Sequence, residues 1–223
     1  MENYTILHLL NIIVHVLAGT LALLLGFIVL MNKKGSPKHR KIGRVFLLLL
    51  IIVVVTGFIG VFIFKRNSFL MIITILSAYY GFSGYRIVVS KTNTPKLVDI
   101  IIAILSIISV FYFLNYFHSI GLYWSPIIIY STIGALTIIV LYDFLRYLIP
   151  KKLYENIWLY EHIYKMIGAF TALLSAFSGT VLNQYQPYSQ FLPSVLGTLL
   201  QIGFIIIYLK KYNQNKNDKA NEQ

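Results

Sequence analysis

Five histidines are the residues of this chain best equipped for chemistry, and they fall into an outer and an inner set. His8 and His15 lie in the first apolar stretch with Asn11 between them, and Gly19 and Gly26 continue the series. Steps of three, four, four and seven keep all five on one helical face. That face is polar and then small, a poor lipid surface and a good cavity wall. His118, one turn beyond Asn115, stands near the end of the fourth apolar stretch at a depth comparable with His8. His39 and His162 sit beside basic residues at the other side of the membrane. Ionisable groups inside apolar spans are costly, so they default to functional candidates. The plainer reading is that each imidazole hydrogen-bonds a neighbouring helix or reaches back to the interface.

The chemistry open to these residues is narrow. With no cysteine in the chain, disulfides, cysteine-ligated iron–sulfur clusters, c-type haem attachment and thiolate zinc sites are excluded. Imidazole is then the main ligand for haem iron or another metal. His15 with His118, and His8 beside them, form the expected outer site for a b-type haem or a metal ion. His39 with His162 form a second, inner candidate. His39 lies in the first turn of a helix, within Lys33-Lys34-Gly35-Ser36-Pro37-Lys38-His39-Arg40-Lys41, where cations oppose the helix dipole. Something anionic should compensate: lipid headgroups, or a ligand such as a haem propionate or phosphate. No G-x-S-x-G, H-E-x-x-H or Walker loop occurs. Retinal chemistry needs a lysine in the last span, and Leu192–Leu209 has none.

The elements that must position these side chains follow from composition. Of 223 residues 58% are hydrophobic and only 12% charged, too few charges for a water-facing surface. The mean hydropathy of +0.76 agrees. A span needs ~20 mostly apolar residues. Seven stretches qualify: Tyr4–Met31, Ile42–Phe64, Phe69–Ser90, Leu97–Ile120, Ile127–Ile149, Ile157–Leu182 and Leu192–Leu209. Ser36-Pro37, Thr94-Pro95 and Ser125-Pro126 each put a capping side chain before a proline, opening spans two, four and five. Gly35 suits the stop after span one, and Pro150 the stop after span five. The first span has Glu2 instead of a basic start and no small-residue cleavage site, so it is expected to remain in the mature protein.

Charge then orients the bundle. Of the 19 basic residues, all but Lys65 and Arg66 fall in loops 1–2, 3–4 and 5–6 with the start of span six, or in the tail. Cytoplasmic loops collect Lys and Arg, so the N-terminus is expected outside and the C-terminus inside. The net charge of +12 is thereby explained without nucleic acid, and the basic loops should meet anionic headgroups. The expected class is an all-α polytopic protein of the cell inner or plasma membrane, residues 1–212 forming seven transmembrane helices and 213–223 a polar, disordered tail. Tyr123 with Trp124, and Trp158 with Tyr160, read as interfacial anchors. Small residues in span three (Ser77, Ala78, Gly81, Gly84) and span six (Gly168, Ala172, Ser175, Ala176, Gly179, Thr180) place both centrally. Glu161 and Lys165 are spaced to pair along one helix, as are Asp143 and Arg146, and none of these acids reads as deep.

The series His15-x-x-x-Gly19, Lys34-Gly35-x-x-x-His39-Arg40-x-x-Gly43 and His162-x-x-x-Met166 resembles a bacterial family of uncharacterised predicted multi-pass membrane proteins. The resemblance implies no activity, and singles out His15, His39, Arg40 and His162 as positions to test. The leading expectation is a histidine-ligated b-type haem module for electron transfer or redox work. A non-catalytic assembly or scaffold protein, acting through a membrane-protein partner or a second copy, is the alternative. So is a small-solute or ion carrier with the polar face of span one lining its path. An intramembrane enzyme acting on lipid is the remaining class.

Overall fold

The computed structural model describes residues 6–65, 69–119, 121 and 125–221, with backbone alone at 69 and 215–221. Among these residues seven α-helices follow one another: α1 (Ile6–Met31), α2 (Pro37–Phe62), α3 (Phe69–Ser90), α4 (Leu97–Ser119), α5 (Pro126–Leu145), α6 (Lys151–Val181) and α7 (Tyr188–Asn221). Single 3₁₀ turns follow α5 (Arg146–Leu148) and α6 (Asn183–Tyr185). No strand occurs among the described residues. Six helices, all but α6, are long and apolar enough to cross a membrane. Leucine, isoleucine, valine and phenylalanine lie exposed along α1, α2, α4 and α7, as suits lipid-facing surfaces. The chain is a helical membrane protein.

The helix boundaries have local causes. Ser36 is the N-cap of α2, its hydroxyl accepting from the His39 N–H, with Pro37 in the first helical turn. Gly35 holds φ +76°, the left-handed turn that glycine adopts without strain. Thr94 does not cap α4. The helix starts later, and Asp99 Oδ2 accepts the Lys96 N–H at 2.8 Å. Pro126 opens α5, where Ser125 occupies the cap position without a side-chain cap bond. The polar segment after Tyr212 continues α7 as helix to Asn221. The anchor pair Tyr123 and Trp124, like Tyr4, Arg66 and Ile120, lies outside the described residues. The Lys91 ammonium lies 5.0 Å from the centre of the Trp158 ring.

Helices α3 and α6 form the centre, as their small residues require. Ser77 donates to the Ala169 carbonyl at 3.0 Å, a hydrogen bond between the two helices. The Tyr80 ring lies against Gly168, and Gly84 admits Lys165 and Met166 where a Cβ would meet them at 3.0–3.1 Å. Helix α7 lies on α6 through Ser175–Ser194 (3.1 Å) and Gln201 to the Tyr164 carbonyl (2.9 Å). Helix α1 packs on α2 and α6, whereas α4 packs on α5 and α3. Helix α5 makes little backbone contact with α6; long side chains span the gap between them.

Candidate functional site

Where α5 and α6 face each other, four charged side chains are enclosed. Asp143 (α5) and Arg146 (the turn after it) are 9% and 5% exposed, and Glu161 and Lys165 (both α6) are 5% and 0% exposed. Local spacing predicts the pairs Asp143–Arg146 and Glu161–Lys165, and these exist, at 3.7 and 3.9 Å. The shorter contacts cross between helices. Arg146 Nη1 lies 3.1 Å from Glu161 Oε2, and Lys165 Nζ donates to Asp143 Oδ1. The reading of these acids as shallow, locally paired groups is therefore corrected: both carboxylates are interior, bridging two elements that backbone packing leaves apart.

Three phenols complete the network. Tyr79 on α3 donates to Asp143 Oδ2 at 2.8 Å. Tyr142 donates to Glu161 Oε1, and Tyr154 donates to Glu161 Oε2 at 3.1 Å. Every carboxylate oxygen thus accepts from a cation or a phenol. Two cations and two anions cancel, which is what burial demands, since an isolated ion in low dielectric is very costly. Lys165 lies ~21 Å along α6 from Lys151 at ~1.5 Å per residue. Asn93, 3% exposed, fastens the end of α5 by donating to the carbonyls of Tyr147 (3.3 Å) and Ile149 (2.6 Å).

A crevice opens beside this network, lined by Tyr79, Ser83 and Arg86 of α3, Asp99 of α4, and Asp143 and Arg146. Arg86 and Asp99 form a two-pronged pair at 2.6 and 3.0 Å, about 15% exposed. No protein-family model, no curated protein and no solved structure matches the chain. Its function must be argued from this geometry.

The histidines fall differently from the expected outer site. His15 Nδ1 lies 2.8 Å from Thr56 Oγ1 on α2. Thr56 already donates its one proton to the Ile52 carbonyl at 2.7 Å, so the imidazole Nδ1–H is the donor. Asn11 donates to the Thr56 carbonyl at 3.1 Å, and His8 stacks on Phe64 with ring centres 4.5 Å apart. The face read as a cavity wall is thus the α1–α2 interface. His118 is exposed on the last turn of α4, on a separate flank from α1. The structure does not bring His15 and His118 together, because each helix is committed to different neighbours. Among the described residues no group of three or more His, Cys, Asp or Glu is arranged to hold a metal ion.

His162 Nδ1 donates to the Gly84 carbonyl at 3.0 Å, and His39 and Lys34 lie within electrostatic reach of that ring. Lys34 closes the end of α1 by donating to the Val29 and Leu30 carbonyls at 3.1 and 2.8 Å, beside the Phe204 ring. Partial burial lowers its proton affinity below that of a free lysine. Arg40 is exposed on the outer side of the same turn.

The charge network was the feature that local reasoning missed. One signal was present: Lys165 stands well inside the apolar part of span six, yet loop counting assigns it to the cytoplasmic total. A lysine at that depth requires an acid from another helix.

Proposed function

We propose that the chain crosses the cell's inner or plasma membrane seven times, N-terminus outside and C-terminus cytoplasmic, and works as a proton-coupled carrier of a small solute or ion. The observation that carries this reading is the neutral Asp143–Arg146–Glu161–Lys165 network joining α5 to α6. Charged residues inside spans are the usual sites of proton relays and coupling. Protonating Asp143 would leave Lys165 only its longer contact with Glu161, at 3.9 Å, and give the site a net positive charge. The contact between α5 and α6 would then be the one most weakened, since side chains and not backbone packing make it. The α4–α5 pair, which keeps its contacts with α3, is correspondingly the part that would rock against α6, an alternating-access motion.

Two measurements test it. Vesicles containing the purified protein and a pH-sensitive dye should show proton movement with at least one solute of a broad panel. Asp143→Asn should abolish it, and Ser131→Ala, on an exposed face of α5, should not. No proton movement with any solute would end the reading. Orientation is read from single introduced cysteines, which the cysteine-free chain permits: Lys65→Cys should label from outside and Gln214→Cys only from inside.

A second reading, the b-type haem module, rests on the inner histidines alone. The Gly84 carbonyl orients His162 so that its Nε2 carries the lone pair, the arrangement iron ligands commonly have. His39 would be the partner ligand, with Lys34 near an anionic edge. The cytoplasmic basic cluster would otherwise meet anionic lipid headgroups. Protein from haem-replete cells should then show a Soret band that weakens in His162→Ala; colourless protein would remove this reading.

A further inference from the structure

The crevice between α3, α4 and α5 has a built polar interior that the four-charge network leaves unused. Its free volume is about 20 Å³, enough for one water molecule, which needs ~10–15 Å³ by the same measure. Two polar atoms of its lining residues, Ser83 Oγ and Arg146 Nε, are fully covered and have no hydrogen-bond partner among the described residues. Ser83 is 8% exposed and Arg146 5%. Buried polar atoms are almost always paired with protein or ordered water, so two such orphans on residues that line one small crevice point to a water there. The charged groups around it are Arg86 and Asp99 on one side and Asp143 and Arg146 on the other, with the Tyr79 hydroxyl held on Asp143. Beyond Asp143 stand Lys165 and Glu161, with Tyr142 and Tyr154 on the latter.

We infer that this crevice binds one water, held by Ser83 and Arg146, that passes protons between the partly exposed Asp99 and the more deeply buried Asp143. The inference rests on the proposed proton-coupled role and names the route by which the site is loaded. Asp99, in the first turn of α4, is the more accessible carboxylate of the two and follows a basic loop. When Asp99 takes a proton from solvent, its O–H bond breaks toward the water oxygen as one of the water's own O–H bonds breaks toward Asp143. Asp99 returns to carboxylate, Asp143 becomes the neutral acid and the water is regenerated. Asp143 can accept because each of its oxygens receives one close donor and keeps a second lone pair.

Infrared difference spectroscopy of the reconstituted full chain after a downward pH jump tests the route. A carboxylic acid C=O band that disappears in Asp143→Asn reports the proton on Asp143. Ser83→Val fills the crevice and removes the hydroxyl; it should leave the final band amplitude unchanged and slow its appearance roughly tenfold, the effect of ~1.4 kcal/mol on a barrier. Ser83→Ala removes only the hydroxyl and carries the test if the valine protein does not fold. A band forming at the wild-type rate in either folded variant overturns the inference, as does the lack of any Asp143-dependent band. The measurement reads no solute: a delayed band in protein that carries nothing across vesicles would keep the water route and discard the carrier.

Discussion

Replacing Lys165 by methionine removes the one cation that Asp143 directly holds on α6. Methionine approximates the length of the lysine stem, so the loss is of charge and hydrogen bonds more than of volume. Lys165 is 0% exposed and Asp143 9%, so bulk solvent does not replace the lost ammonium. Tyr79 and, at 3.7 Å, Arg146 remain beside the carboxylate, and Arg146 is already engaged by Glu161. Breaking a buried pair from one side costs about 3–5 kcal/mol. A chain of this size shifts its unfolding midpoint by roughly 2–4 °C per kcal/mol, so the variant should melt about 6–20 °C lower. The assay is thermal unfolding in lipid nanodiscs, followed by circular dichroism. Asp143→Leu in the same background removes the stranded anion, and the double variant should recover roughly half of the loss or more, because apolar replacement of a whole buried pair is often near neutral. Simple addition of the two single losses, or a Lys165→Met midpoint equal to wild type, would refute the claim that this pair joins α5 to α6.

Four further outcomes follow from other parts of the fold. Asn93→Ala leaves the Tyr147 and Ile149 carbonyls unpaired and should cost about 1–3 kcal/mol, whereas an unchanged melting curve would show that water replaces the clamp. Gly26→Val should prevent α1 from closing on Phe170 and Phe46, seen as lost protease resistance of α1; Gly134→Ala, with nothing within 4 Å of the new methyl, should stabilise by up to about 1 kcal/mol. His15→Ala should cost about 1 kcal/mol through its bond to Thr56, and no loss in the melt would remove the imidazole from the α1–α2 interface.

Much of the architecture was legible along the chain because its causes are local. Apolar length makes a span, Ser36-Pro37 starts a helix, and glycine and alanine every three or four residues mark where helices meet. The central place of α3 and α6 could be read from Ser77, Gly84, Gly168 and Ala172 for that reason. The histidine face of α1 was equally visible, but its meaning was not: Asn11 and His15 look the same whether they line a cavity or bond Thr56. Choosing between those needs the neighbour, and the neighbour is set by packing.

The sequence by itself determined a helical membrane protein, the start of α2 at Ser36-Pro37 and of α5 at Pro126, and which helix faces carry small residues, since each depends on side chains within a turn or two; the start of α6 at Lys151 and the run of α7 to Asn221 were not legible in it. Only the tertiary structure decided that Lys165 pairs with Asp143 and Arg146 with Glu161, that Tyr79 reaches in from α3, and that His118 stands apart from His15. Charge pairing in a low-dielectric interior is long-range along the chain and specific in space. Helical spacing names the partners on one helix, and only the arrangement of several helices shows which ion lies close enough to neutralise another.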